Sequence, residues 1–290
     1  MRSHHRSLGG LLLCVVVWNA IALLARSNDV YPSFDTAMSA AAKFMKDRDY
    51  KAAQAPLEAA LRMAPGDAKR LRIYNNLTAC YRLLPETERM TEACEFTIAH
   101  TKEDAERSLT ARSLTSFMFQ RGKLDETRKA YEERLAKTPD DLVALAMLTA
   151  ISGVNPKDRD KAKGYQAKLD KVEQQRSSKL AEEEEGLAVA EPAQATSHWK
   201  QAAIYRIRAA EPAKALADAK QAESTGPDKR TELLQYFWHS QLGDVYLAAN
   251  SPQDAIRHFE QAIATTKIAG HKESCQKKIA EAKSKLGDNP

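Results

Sequence analysis

The sequence predicts an all-α protein assembled from helical hairpins in series, and three observations carry that prediction. Of its 290 residues, 43% are hydrophobic and 29% charged, enough apolar material to bury a sizeable core and too much for disorder throughout. Alanine, leucine, lysine and glutamate dominate, while only 11 glycines and 11 prolines interrupt them, a composition that suits stacked helices better than sandwiches or barrels. Finally, one spaced pattern of small and bulky residues returns several times along the chain.

The first thirty residues read as an address. Arg2, His4, His5 and Arg6 form a positive start, and the apolar stretch from Leu8 to Ala25 is broken only by Gly9, Gly10 and Asn19. Ala20-Ile21-Ala22 has the small-x-small form of a cleavage site. The run also approaches the roughly 20 residues that span a bilayer as an uncleaved anchor, so both outcomes stay open. Arg26-Ser27-Asn28-Asp29 stops the run and leaves the rest of the chain on the non-cytoplasmic side: periplasmic, secreted or membrane-anchored. Leu11-Leu12-Leu13-Cys14 faintly resembles a lipoprotein box, but bulky Leu13 and the apolar run beyond it argue against lipidation.

Residues 33–172 divide into four hairpins. The first carries Ala40, Ala41 and Phe44, a turn at Asp49-Tyr50, then Ala53, Leu57 and Ala60, ending at Ala64-Pro65-Gly66-Asp67. A degenerate second pairs Tyr74, Leu77 and Tyr81 with a helix from Glu88 to Ala99. The third has Leu114 and Met118, Gly122-Lys123-Leu124 at its turn, then Thr127 and Tyr131. The fourth is expected to pair Asp141–Ile151 with Pro156–Leu169. Residues 173–195 read as an acidic helix, with Glu182 to Glu185 on a solvated face, fraying into a linker at Glu191-Pro192.

Hairpins resume over residues 196–267. The fifth has Trp199, Ala202 and Ala203, then Ala215, Ala219, Ala222 and Pro227. The sixth is the clearest, with Leu242, Gly243 and Tyr246, a turn at Asn250-Ser251-Pro252, then Ala255, Phe259 and Ala262. Close approach of two helix axes needs small side chains at the crossing, and a bulky residue fills the wedge beside it. Residues 268–287 predict a capping helix, with Cys275, Ile279, Ala280, Ala282 and Leu286 as its apolar positions.

This pattern is similar to the tetratricopeptide repeat, over residues 34–170 and 196–267. The resemblance implies a right-handed superhelical solenoid whose first helices line a concave groove, and it is silent on the ligand. Groove positions on the second hairpin are then Arg72, Asn75, Asn76 and Arg82; on the third, Arg112, Ser116 and Phe119; on the first, Met38 and Met45. Arginine and asparagine suit extended peptides because they bond carboxylates and backbone amides together. Relatives that grip a C-terminal carboxylate use a lysine and asparagines across successive hairpins. Only Asn76 matches that clamp here, since Met38, Ala42, Leu109 and Ser113 hold the other places. The spelling Asn76-Leu77-Thr78 is a glycosylation sequon, but Leu77 and Tyr81 should pack inside that helix, so it reads as coincidence.

Tyr236, Phe237 and Trp238 are consecutive in a helix, so their rings fan over roughly 200° and cannot all be buried on one stripe. One is expected to face either the preceding hairpin or a partner protein. Outside the leader the cysteines are Cys80, Cys94 and Cys275; Cys80 and Cys94 read as a disulfide across one hairpin or as two small core residues.

Catalysis is not expected. No histidine pair of metalloprotease spacing, nucleophile elbow or phosphate-cradling loop occurs, so no catalytic residue, metal or cofactor is assigned. The formal charge of +5 includes Arg2 and Arg6 of the leader, and no block of five or six basic residues appears, so nucleic acid is not an expected partner. The sequence reading is a protein-interaction scaffold outside the cytoplasm, with membrane contact through the N-terminal segment if it is uncleaved. The alternatives are a self-assembling homo-oligomer and an accessory subunit of an envelope enzyme.

Overall fold

A computed structural model of the chain describes residues 31–84, 86–225 and 232–287. The expected leader and Pro227 therefore lie outside the described residues. Among the described residues every regular element is helical, and internal contacts divide the chain into Met1–Lys168 and Leu169–Pro290.

The first unit runs α1 (Phe34–Lys46), α2 (Tyr50–Met63), α3 (Asp67–Tyr81), α4 (Thr87–His100), α5 (Asp104–Gln120), α6 (Leu124–Lys137) and α7 (Leu142–Val154). Side-chain caps set several of the starts. The Ser33 hydroxyl accepts from the Thr36 N–H at 3.2 Å, Asp49 from Ala52 at 3.0 Å, and Asp141 from Ala144 at 2.9 Å, each satisfying an otherwise orphaned donor. α1 pairs with α2, and α3 with α4.

The second half of this unit departs from the expected hairpins. α5 and α6 touch only slightly, and α7 packs on α4, α5 and α6 instead of pairing with the helix that follows it. Val143 through Leu148 are all buried. A helix apolar on every face has to be surrounded, which a two-helix hairpin cannot do.

The second unit contains most of α8 (Arg159–Ala190), then α9 (Ala195–Arg208), α10 (Pro212–Ser224), α11 (Glu232–Ala248), α12 (Pro252–Thr265) and α13 (Ala269–Gly287). α8 is one unbroken helix of 32 residues where the sequence reads two segments. Its weakest helix formers are Gly164 and Gly186, each costing about 1 kcal/mol, and no proline interrupts it before Pro192. α9 pairs with α10, α11 with α12, and α13 lies on α12, burying Cys275 and Ala282.

Four hairpin turns share one backbone. Arg48, Gly122, Ala210 and Asn250 all adopt left-handed φ between 57° and 66°. At each, the next residue's N–H donates to a carbonyl five residues back: Asp49 to Phe44 and Lys123 to Met118 (2.9 Å), Glu211 to Arg206 and Ser251 to Tyr246 (2.8 Å). These are Schellman-type stops. Because the turn is common, it aligns the hairpins: Ala41, Thr115, Ala203 and Gly243 occupy one position, and Leu57, Tyr131, Ala219 and Phe259 another. At the last crossing a Cβ on Gly243 would fall 2.5 Å from the Phe259 ring, so only glycine lets α11 and α12 approach so closely.

Candidate functional site

The expected groove residues lie on α3 and α5. Arg72 and Asn75 are exposed on α3, Asn76 is half-buried, and Arg82 is exposed just beyond its end; Arg112, Ser116 and Phe119 are exposed on α5. The two helices are tied directly. The Asn75 amide donates to Glu106 at 2.8 Å, while its oxygen accepts from the Thr97 hydroxyl of α4 at 3.1 Å. Further along, Arg121 donates to the Leu84 carbonyl at 2.8 Å. Asn75 is thus engaged in holding the helices together, whereas Arg72, Arg82 and Arg112 have no ion-pair partner among the described residues. Leu83, Leu109 and Phe119 are each 62% exposed on the same helices or their ends. The result is a strip of unpaired guanidinium groups interleaved with exposed apolar side chains.

Met38 and Met45 are half-buried. The Met45 sulfur sits 4.0 Å from Cys80 Sγ, so that residue packs against α3. Cys80 and Cys94 are both buried free thiols. Burial pushes the Cys80 thiol up to about 11 and that of Cys94 up to about 12, with the neighbouring carboxylates Glu58 and Glu95 adding to it. Both shifts disfavour the thiolate, the reactive form of cysteine.

On α11 the three aromatic residues diverge. Tyr236 is buried and stacks on His271 of α13, with ring centroids 4.1 Å apart. Trp238 is buried with the Lys200 ammonium of α9 5.3 Å from its ring. Phe237 remains 45% exposed. One ring therefore faces the capping helix, one the preceding hairpin and one solvent.

A cleft of about 540 Å³ opens between α4 and α6. Thr87, Glu88, Thr91, Glu92 and Glu95 line it from α4; Glu126, Thr127, Ala130, Tyr131 and Arg134 from α6; Met118 and Lys123 complete it. Glu95 accepts from the Tyr131 hydroxyl at 2.8 Å and from Arg134 at 2.9 Å, and Arg134 also bonds Asp141. Burial, reinforced by Glu95, holds the Tyr131 phenol well above its ordinary range. Burial opposes the Arg134 charge, but Asp141 and Glu95 outweigh it and raise its pKa.

Two buried polar networks in the second unit were invisible in the sequence. Arg206, 3% exposed, bonds Glu185, Glu211 and Ser178. Asp218 Oδ2 lies 3.9 Å from Arg206 Nε and accepts no hydrogen bond. Burial and the adjacent Glu185 raise the Asp218 pKa to about 6 despite Arg206. Glu184 meets His198 at 2.7 Å, so half of the acidic run fastens α8 to α9 instead of facing water. In the second network, Glu223 contacts His258 Nε2 at 2.7 Å and accepts from the Tyr246 hydroxyl at 2.6 Å, while His258 Nδ1 lies 3.2 Å from His239 Nδ1. With Nε2 donating to the carboxylate, His258 Nδ1 is the acceptor and His239 the donor. Only the exposed strip was approachable from periodicity; apart from Arg206 and Glu211, five residues apart, the bonded pairs of these networks lie 14 to 35 positions apart and leave no local signature.

No protein-family model matches the sequence, and no curated protein matches it. Among solved structures, a tetratricopeptide repeat protein from Parabacteroides merdae is similar over 87% of this chain and 99% of that one, at 15% identity and a TM-score of 0.30. A superposition that loose carries no argument. What the structure itself shows is helical hairpins in series with a shared turn and, at Gly243–Phe259, a close crossing of two helices. Among the described residues no group of three ligand side chains could hold a metal, and no helix is long and apolar enough to cross a membrane.

Proposed function

We propose that the chain is a non-catalytic scaffold that acts outside the cytoplasm and binds extended peptide segments of a partner protein along the α3–α5 strip. The observation that supports this reading is the pairing of three exposed, unpaired arginines with Leu83, Leu109 and Phe119 on helices locked together by Asn75. Guanidinium groups bond both carboxylates and peptide carbonyls, and exposed aromatic and branched side chains supply apolar anchors. Rigid helices carry these groups, so little ordering entropy is lost on binding. The non-cytoplasmic location rests on the apolar segment Leu8–Ala25 behind a positive start.

Affinity capture from the native envelope and soluble fractions, using the full chain beside a variant with Arg72, Asn76, Arg82 and Arg112 changed to alanine, tests it. Partners recovered with the wild type and lost with the variant are the expected result. Identical recovery with both proteins, or recovery of the chain alone, would overturn the strip as the docking surface.

A further inference from the structure

We propose that the cleft between α4 and α6 is a second docking site, which takes lysine or arginine side chains from a basic segment of a partner protein. Its floor is made by Met118 and Tyr131, exposed by only 4% and 3%. Both are packed side chains, and the Tyr131 hydroxyl is held by Glu95. Its volume of about 540 Å³ lies within the roughly 300–1,000 Å³ of ordinary ligand pockets.

The lining selects the sign of the occupant. Glu95 is already matched by Arg134 and Tyr131. Glu92 accepts from the Tyr74 hydroxyl at 2.8 Å, which leaves its charge unneutralised. Glu88 and Glu126 have no ion-pair partner among the described residues. Against these three carboxylates stands Lys123 alone, since Arg134 is held by Glu95 and Asp141. An anionic or purely apolar ligand would leave the rim repelling or unpaired. A lysine or arginine side chain fits both parts, its aliphatic stem on Met118, Ala130 and Tyr131 and its charged head among the carboxylates.

The site is independent of the α3–α5 strip, so the two can fail separately. Calorimetric titration of the full chain with hexa-arginine, and with hexa-glutamate as the control, tests it. Hexa-arginine is expected to bind through the cleft, whereas any hexa-glutamate binding, carried by the arginines of the strip, is expected to be unchanged by the cleft variants. Glu88→Gln with Glu126→Gln should weaken hexa-arginine binding by about tenfold or more. Ala130→Trp, which fills the cleft from an exposed position without altering charge, should do the same. Glu132→Gln with Glu133→Gln, exposed on α6 outside the cleft, and Arg72→Ala with Arg112→Ala on the strip should leave binding within about threefold. Absence of binding, or equal loss in the cleft variants and the Glu132/Glu133 control, would overturn the proposal. Spermine competing as tightly as hexa-arginine would overturn the choice of a protein segment.

Discussion

The α11–α12 and α5–α6 pairs carry the same turn and close very differently. At equivalent positions the first has Gly243, Ala255 and Ala262 around Phe259; the second has Thr115, Thr127 and Arg134 around Tyr131. Three small side chains let the first two helices meet along their length, with Phe259 fully buried. Three larger ones hold the second pair apart, leaving α7 to fill one side and the α4–α6 cleft open on the other. A common stop thus specifies where the chain reverses, while the crossing residues decide whether the helices touch.

The largest expected effect breaks the tight pair. Phe259→Ala should cost about 3–5 kcal/mol in urea unfolding, the range for truncating a fully buried aromatic. Tyr131→Ala, at the matching place beside an open cleft, should cost clearly less; equal losses would mean that the looser pair is no less dependent on its ring. Next comes the crossing itself. Gly243→Ala places a methyl carbon into the Phe259 ring and should destabilise by about 1–3 kcal/mol, whereas Thr115→Ala, with no such clash to create, should change stability by about 1 kcal/mol or less.

Acidity should separate the pairs as well, because α5 and α6 contain no histidine. Burial, followed by the nearby His258 and Arg257, lowers the His239 pKa from 6.5 to about 4, and burial lowers that of His258 against the pull of Glu223. The unfolded chain then binds the extra protons. Stability is intact above about 6.5 and is lost as the pH falls toward 4. Hydrogen exchange should show α11 and α12 opening more readily across that window while α5 and α6 hold steady, and His239→Gln should flatten the response. Asp218 works in the opposite sense. Its raised pKa means that its own contribution is most favourable below 3.8 and is lost as the pH rises through about 6. Asp218→Asn should therefore raise the melting temperature at pH 8 and lose that advantage near pH 4.

The smallest effect tests what the pairs share. Ala210 tolerates a left-handed φ of 57° where Gly122 uses glycine for φ 66°. Ala210→Gly should add up to about 1 kcal/mol of stability, and Gly122→Ala should remove a similar amount. Thermal unfolding of the two variants gives the comparison directly; matching signs would show that the turn is not the common constraint.

The sequence made the first, fifth and sixth hairpins legible because alanine or glycine at a helix crossing is a local requirement, readable from spacing alone. It misjudged the end of the first unit for an equally physical reason. Threonine and tyrosine at 127 and 131 satisfy the same pattern as alanine and phenylalanine, although their sizes keep the helices apart. α7 is apolar on every face, which says that it must be surrounded but not which helices surround it. The exposed arginines of the strip were visible as surface positions, but the engagement of Asn75 depends on Thr97 and Glu106, 22 and 31 residues away. Glu184 and Glu185 looked like a solvated face because His198 and Arg206 arrive from the next helix.

The buried thiols turn the molecule into its own clock. Cys80 and Cys94 lie in the first unit and Cys275 in the second, all sealed in their cores with pKa values raised mainly by burial. An alkylating reagent can reach each one only when its surroundings momentarily come apart. The rate of modification at each position therefore measures how often that part of the chain opens under native conditions. In an oxidising compartment the same seal would keep the thiols from forming mismatched crosslinks for as long as the helices stay closed.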